Sequence, residues 1–272
     1  MSRKIILTAA IFLITLYAPL SLFSQIQDFE INGTVLVRYL GNAENVIIPE
    51  GVTAIEDRAF FSYDFDARQY LNDNVKSITI PASVSSIADT AFYGDNSRSL
   101  ISITVDIQNR MYSSVEGVLF NKNRTSLVRY PPNKLAISYT IPSSVVSIGA
   151  YAFSGCEDLI SINIPARVTS IGDSAFSGCT SLTSVTIPSR VTSIGGSAFR
   201  GCTSLTSVTI PSSVRSIGGS AFSGCTSLTS VNIPSRVTSL DYGTFYACNA
   251  LLPAVREAII SRFGQHPFNP PY

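Results

Sequence analysis

A 23-residue period in the second half of the chain limits the possible folds more than any other feature. An Ile-Pro pair, a phenylalanine and a cysteine each recur with this step. Three independent positions with one period do not arise from biased composition, so the period marks a structural unit copied along the chain. The recurring positions are Ile141, Ile164, Ile187, Ile210 and Ile233, then Phe153, Phe176, Phe199, Phe222 and Phe245, then Cys156, Cys179, Cys202, Cys225 and Cys248.

One unit indicates how a single coil folds. Leu182, Val185 and Ile187 are spaced to face inward from a short parallel strand, which Pro188 ends because proline cannot donate to a strand ladder. A second apolar segment suits a short strand or an extended segment, and the phenylalanine would fill the floor of the coil. We expect Gly195 to adopt a backbone conformation that a larger residue would resist. No unit can bury both faces alone, so the units should stack around a continuous core.

The repeat continues less regularly toward the N-terminus, and both ends show signs of a cap. Apolar runs flanking a turn predict a β-hairpin at the start of the mature chain and another where the register breaks. Apolar residues at helical spacing after Pro253, with Gly264 as a stop, predict a short amphipathic cap helix, and we expect the proline-rich tail 266–272 to be loose. The predicted organisation is a signal peptide at 1–24, a hairpin cap at 25–47, a solenoid at 48–248 with an insertion at 62–74 and a degenerate hairpin repeat at 106–134, and a helical cap with tail at 249–272.

The first residues have the pattern of a Sec signal peptide. Arg3 and Lys4 precede an apolar stretch that contains Pro19 and turns polar at Gln25. We predict cleavage after Ser24, with an uncleaved membrane anchor as the alternative. No second long apolar run exists, so no membrane insertion is expected after cleavage.

Composition and charge argue against two functional classes. A formal net charge of +1 argues against nucleic-acid binding through phosphate contacts. Catalysis is not expected, because the sequence has no phosphate-binding glycine loop or hydrolase motif and its one histidine, His266, lies in the tail. We predict no cofactor and no resident metal.

Five cysteines in an exported chain suggest disulfides, but their arrangement favours free thiols. All five occupy one column, and neighbouring strands of a sheet lie about 4.8 Å apart. The side chains would run parallel, so that bridging would strain each coil, and we interpret them as buried apolar fillers with weak S–H donors. Side chains in a straight column also cannot converge on one point as four tetrahedral zinc ligands must, which excludes a zinc site.

The unit Cys-x-x-Leu-x-x-Val-x-Ile-Pro-x-x-Val-x-x-Ile-Gly-x-x-Ala-Phe resembles the BspA-like class of bacterial leucine-rich repeats, with the strongest match over residues 141–248. The resemblance implies a leucine-rich-repeat solenoid of 23-residue coils. It places a parallel β-sheet on the concave face and short extended segments on the other. It further implies an exported protein at the cell surface or in the medium. The expected activity is adhesion to host matrix proteins such as fibronectin or fibrinogen, or to other bacteria.

The outward positions of the predicted strands form the first candidate binding surface. They carry short hydroxyl and amide side chains in two nearly uncharged columns. These columns form either a binding face or simply a solvated face of the sheet. These positions are Ser161, Asn163, Ser184, Thr186, Ser207, Thr209, Ser230 and Asn232.

Two further surfaces are candidates. Arg167, Arg190 and Arg236 share one column after Ile-Pro and could pair with sulfated glycans or an acidic protein strip, or could only solubilise an edge. The insertion carries Tyr63 and Tyr70, and insertions in solenoids often lie on the binding face. Its aspartates could also hold calcium, although their spacing lacks the glycine and glutamate of an EF-hand.

The sequence therefore predicts an adhesin-like interaction protein, with an envelope scaffold that meets a bacterial partner as the alternative. The two hypotheses differ in location, because an adhesin must reach the cell surface or the medium and a scaffold can remain in the periplasm.

Overall fold

The computed structural model describes residues 28–60, 63–64, 69–70, 74–94 and 99–270, and of 63–64 and 69–70 it describes only the backbone pairing. The predicted signal peptide lies outside the described residues, as does most of the predicted insertion. Among the helices of the described part, none combines the length and apolar character that a membrane crossing requires.

The chain winds into a β-solenoid of about eight coils, about 23 residues apart, which confirms the predicted fold class. Each coil contributes one strand to a first column, in which the strands pair in parallel within three successive sheets of three, two and three strands. Paired strands align at equivalent positions, so that Ser184 and Ser230 both neighbour Ser207. The first-column strands are Asn45–Ile47, Ser77–Ile80, Ser102–Val105, Ser138–Thr140, Ser161–Asn163, Ser184–Thr186, Ser207–Thr209 and Ser230–Asn232.

The second apolar segment of each unit also forms parallel strands, each two residues long. In these strands the isoleucines of successive coils pair directly, for example Ile171 with Ile194. The second-column strands are Ala54–Ile55, Ser86–Ile87, Ser147–Ile148, Ser170–Ile171, Ser193–Ile194 and Ser216–Ile217. Both sides of the coil are therefore hydrogen-bonded to their neighbours.

The second column consists of two sheets, and each of them begins with an antiparallel hairpin. Phe29–Asn32 pairs with Val35–Tyr39, which in turn pairs with Ala54–Ile55. In the middle of the chain, Val118–Asn121 pairs with Ser126–Arg129. A third strand, Tyr112–Val115, extends this hairpin and was not anticipated from the sequence.

Stacked phenylalanine rings form the axis of the core. From Phe153 to Phe245 the centroids of successive rings lie 5.0 to 5.6 Å apart, and the planes are within 9° of parallel. The backbone N–H of Phe199 donates to the carbonyl of Ala221 in the next coil at 2.7 Å, and the same bond recurs along the column. Each phenylalanine thus fixes the spacing of two coils through its ring and its backbone together.

The prediction that Gly195 is needed for a special backbone conformation is wrong. Its φ is not positive, so the glycine is not needed for a left-handed conformation. A Cβ at this position would lie 2.5 Å from the backbone nitrogen of Asp173 and from the carbonyl carbon of Gly172 in the preceding coil. The requirement is therefore close approach between coils. By contrast, Gly201 has a φ of 71°, and a Cβ there would make only ordinary van der Waals contact, 3.9 Å from the backbone of Gly178.

All five cysteines are free and buried, as the column arrangement predicted. Each thiol donates to a backbone carbonyl of the preceding coil, for example Cys202 Sγ to Phe176 O at 3.2 Å. Burial raises the pKa of Cys202 to about 12 and that of Cys248 also to about 12, and it raises the pKa of Cys179 and Cys225 as well. These four thiols therefore keep their protons and act as satisfied donors.

The C-terminal end is closed by the expected helix, Pro253–Phe263, followed by Gly264. The helix buries less apolar surface than predicted, because Ile259 is its one buried residue. Arg262 instead anchors the helix, donating to the carbonyls of Ile233, Pro234, Ser235 and Val237 in the last coil.

The expectation of a loose tail is wrong for residues 266–268, which form a 3₁₀ turn. Phe268 lies one period after Phe245, is buried, and packs against it with a centroid distance of 6.1 Å. The carbonyl of Pro267 accepts the N–H of Phe245 at 2.8 Å, and Arg256 covers the Phe268 ring at 4.1 Å. The tail therefore supplies the contacts that another coil would make.

Arg129 is a charged exception in the interior. It lies one period before Ala152, in a column that holds alanine in the next four coils, and it is 3% exposed. One terminal nitrogen donates to the carbonyl of Tyr151, while Nε and the other terminal nitrogen have no hydrogen-bond partner within the described residues. Burial lowers the pKa of the guanidinium. Such a group is expected to reduce stability.

Gly195→Ala should lower the free energy of unfolding by about 3 kcal/mol, because backbone atoms of the adjacent coil must move. Gly201→Ala should lower the free energy of unfolding less, by about 1–2 kcal/mol, because the new methyl group has room and only the left-handed backbone conformation is unfavourable for alanine. Thermal unfolding of both variants followed by circular dichroism tests this order. Equal losses would contradict the close-approach explanation.

Stability should fall as pH rises from 9 toward 12. In this range the unfolded thiols ionise while those of the fold stay protonated, so unfolding releases protons and becomes more favourable. Each such thiol can contribute a slope of about 1.4 kcal/mol per pH unit. Unfolding midpoints measured across this range should decline more steeply for the native chain than for a variant with alanine at Cys179, Cys202, Cys225 and Cys248. Equal slopes would exclude a thiol contribution.

Arg129→Met should raise the unfolding midpoint, because it removes a buried charge and its two unpartnered donors while keeping the length of the side chain. Arg38 occupies the equivalent position of the N-terminal hairpin and is exposed, so Arg38→Met serves as the matched control and should change the midpoint little. A marked fall in the Arg129→Met midpoint would show that the guanidinium has a stabilising partner.

Candidate interaction surface

The outward residues of the first column form a polar surface, here called the strand face. In each strand the middle residue, such as Val208, faces the core, and the two flanking residues face solvent because side chains alternate along a strand. The residues of the strand face are all exposed, as expected from sequence. They are Ser161, Asn163, Ser184, Thr186, Ser207, Thr209, Ser230 and Asn232.

The side-chain polar groups of the strand face make no hydrogen bond to the part of the chain that the structure describes. The threonines one position earlier behave differently, since Thr206 Oγ1 donates to Thr183 O at 3.3 Å and Thr229 Oγ1 donates to Thr206 O at 3.0 Å. The strand face therefore presents free donors and acceptors on a backbone that is held rigidly from both sides.

Exposed apolar residues border the strand face at one end, and the sequence reasoning missed them. Ile137 is 63% exposed and Ile160 is 41% exposed. They are neighbours in adjacent coils, because Ile160 N donates to Ile137 O at 2.8 Å. Later coils carry Thr183 at this position, so an isoleucine in a threonine column was the signal available in the sequence. We call Ile137 and Ile160 the apolar border.

The predicted arginines lie on a different surface. Arg167, Arg190 and Arg236 are exposed, and each lies in the turn that follows the first-column strand of its coil. In the coil of Arg190, the buried Ile187 and Pro188 separate this turn from the strand face. The structure therefore does not bring the arginines into the strand face.

The tyrosines of the insertion are placed only through their backbone. Tyr63–Asp64 and Gln69–Tyr70 form a short antiparallel pair in which Tyr63 lies opposite Tyr70. Their side chains are outside the described part of the chain, as are the groups of the calcium hypothesis.

His266, the one imidazole of the chain, is used by the cap. Its Nε2 donates to the carbonyl of Leu240 at 2.6 Å, and its ring packs on Tyr242. The residue is half-buried at the end of the solenoid and is thus part of the contacts that close it.

Comparison with known proteins identifies relatives of this solenoid. The family model for the BspA type leucine-rich repeat region matches in six copies over residues 64–131 and 132–252. No curated protein matches the sequence. A crystal structure of a leucine-rich repeat protein from Eubacterium ventriosum is 34% identical with a TM-score of 0.64, over 76% of this chain and 53% of that one.

The pneumococcal vaccine antigen PcpA shares the fold at 23% identity and a TM-score of 0.64, over 76% of this chain and 55% of that one. The chain therefore spans about half the length of these two solved structures.

Proposed function

Because the chain belongs to the BspA-type family of bacterial leucine-rich repeats, we propose that it is an exported interaction protein that binds a protein partner through the strand face. The proposed partner class is the extracellular matrix glycoproteins of a host, with fibronectin and fibrinogen as the first candidates. The protein acts at the cell surface or in the medium.

The observation that carries the proposal is the combination of the strand face with the apolar border. The strand face offers side-chain donors and acceptors that no residue of the described chain uses. Ile137 and Ile160 add exposed apolar area at its edge. Protein interfaces combine a desolvated apolar contact with a polar surround. A merely solvated sheet face would have no need of the two isoleucines, since threonine fills the same column in later coils.

The geometry favours binding over catalysis. In the coils of Ser184 and Ser207, ladders on two sides hold the backbone in place, so the strand face is pre-organised there and a partner need not order it. The histidine that could have served as a general base is engaged by the cap. Export is supported by the signal-peptide pattern that precedes Gln25.

Replacing the apolar border by the residue of later coils should weaken partner binding without affecting the fold. For the double variant Ile137→Thr and Ile160→Thr, we expect the Kd for immobilised fibronectin or fibrinogen to rise about tenfold or more, because exposed apolar anchors carry a large share of binding energy. Surface plasmon resonance on the purified protein measures this change.

Ile107→Thr is the matched control, because Ile107 is 88% exposed and follows the other end of a first-column strand. Its Kd should remain within twofold of the native value, and the unfolding midpoints of all variants should agree closely. Equal weakening by the control would contradict a role for the apolar border. Absence of binding to both proteins would exclude these candidates and leave the strand face to another partner.

Location is tested separately with protease on intact and permeabilised cells, alongside a periplasmic marker. Cleavage on intact cells, or recovery of the protein from the medium, agrees with the proposal. Protection until permeabilisation would favour a periplasmic scaffold with a bacterial partner.

A further inference from the structure

An arginine protrudes from the same edge of four consecutive coils. Arg167, Arg190 and Arg236 lie directly before the inward valine of their turns. The coil between them carries Ser213 at that position, and Arg215 follows two residues later. All four arginines are exposed, and we call them the arginine ridge.

The turns fix the direction in which these side chains leave the solenoid. In the coil of Arg190, the carbonyl of Pro188 accepts the N–H of Val191 at 3.0 Å, and both of these residues are buried. The arginine between them therefore points to solvent from a closed turn. The same bond recurs in the other three coils, at 3.0 to 3.1 Å, where Arg167 and Arg236 lie inside the turn and Arg215 directly follows the buried Val214 that closes it. The stacked phenylalanines place successive coils 5.0 to 5.6 Å apart, so the ridge carries about one guanidinium per 5 Å of axis.

Within the described residues, no ion pair involves an arginine of the ridge. The turn segments 165–169, 188–192, 211–215 and 234–238 contain no aspartate or glutamate. The ion pair found in the described part of the chain joins Lys76 to Glu44 in the N-terminal half, far along the stack. Arg262, whose guanidinium is held by carbonyls of the last turn, adds positive charge at the C-terminal end of the row.

We propose that the arginine ridge binds a sulfated polysaccharide that lies along the solenoid axis. A linear chain with an anionic group every few ångströms matches a row of cations at a constant step. The planar fork of arginine suits the oxygens of a sulfate group in the same way as those of a phosphate. The turn segments expose serine, threonine and alanine but no aromatic side chain, so the stacking platforms that single-stranded nucleic acids use are missing. This site uses other residues than the strand face and does not depend on the proposed function.

The repeat itself supplies substitutions that preserve the fold. Arg167→Ser, Arg190→Ser and Arg236→Ser introduce the residue found at Ser213, and Arg215→Thr introduces the residue found at Thr192. Arg200 provides the matched control. It is exposed, lies in the same coil as Arg190 but after the phenylalanine, and neighbouring coils carry serine at that position.

Binding of the purified protein to heparin, measured by fluorescence anisotropy over a series of salt concentrations, tests the proposal. The variant with all four ridge arginines replaced should bind at least tenfold more weakly. Arg190→Ser should lower the slope of log K against log salt by about one, as expected for loss of one phosphate-like contact. Arg200→Ser should leave the affinity within twofold. Unfolding midpoints should be unchanged throughout.

Three results would overturn the proposal. If native protein fails to bind heparin even at low salt, the ridge is no polysaccharide site. If Arg200→Ser weakens binding as much as Arg190→Ser, only net charge matters. If polyglutamate, or hyaluronan with its carboxylates alone, binds as tightly as heparin, the ridge does not select sulfate groups.

Discussion

The contact between one coil and the next determines every other feature of this protein. A backbone hydrogen bond from each phenylalanine to the following coil, and the stacked ring beside it, impose a step slightly above 5 Å. Gly195 and its equivalents allow this step by having no side chain where two backbones meet. Thiols then fill the remaining interior and satisfy carbonyls of the preceding coil. A side chain that disturbs the step would disturb two interfaces, because each coil is stacked on both sides.

The inward positions could be predicted because buried residues are apolar and recur in the sequence at a constant period. The step from one phenylalanine to the next identified the core, both strand columns and the free thiols. The cause assigned to Gly195 could not be found in this way, since a glycine needed for close approach and one needed for a left-handed backbone look alike in sequence. Phe268 was overlooked although it keeps the period, because its proline-rich surroundings resemble a disordered tail. The third hairpin strand carries no periodic signal of its own.

The candidate surfaces were predictable only in part. The strand face followed directly from alternation along a strand, which decides the direction of Ser184 and Thr186 once Val185 is known to face inward. That its hydroxyls and amides are unused by the fold required the structure. Thr206 and Ser207 are similar residues, but only the hydroxyl of Thr206 is hydrogen-bonded to the neighbouring coil. The apolar border was missed because Ile160 resembles a core residue until its exposure is known.

The Phe268 turn completes the solenoid by presenting the same ring and carbonyl as a further coil. The closing segment meets the last coil largely through backbone carbonyls and the ring of Phe245, groups that every unit of the repeat also presents. We therefore expect that whole units can be inserted or deleted before the last coil, so that the length of the molecule varies in steps of one coil. Each added unit would lengthen both exposed surfaces by the same increment. Duplication of one repeat would therefore be enough to extend the surface available to a partner.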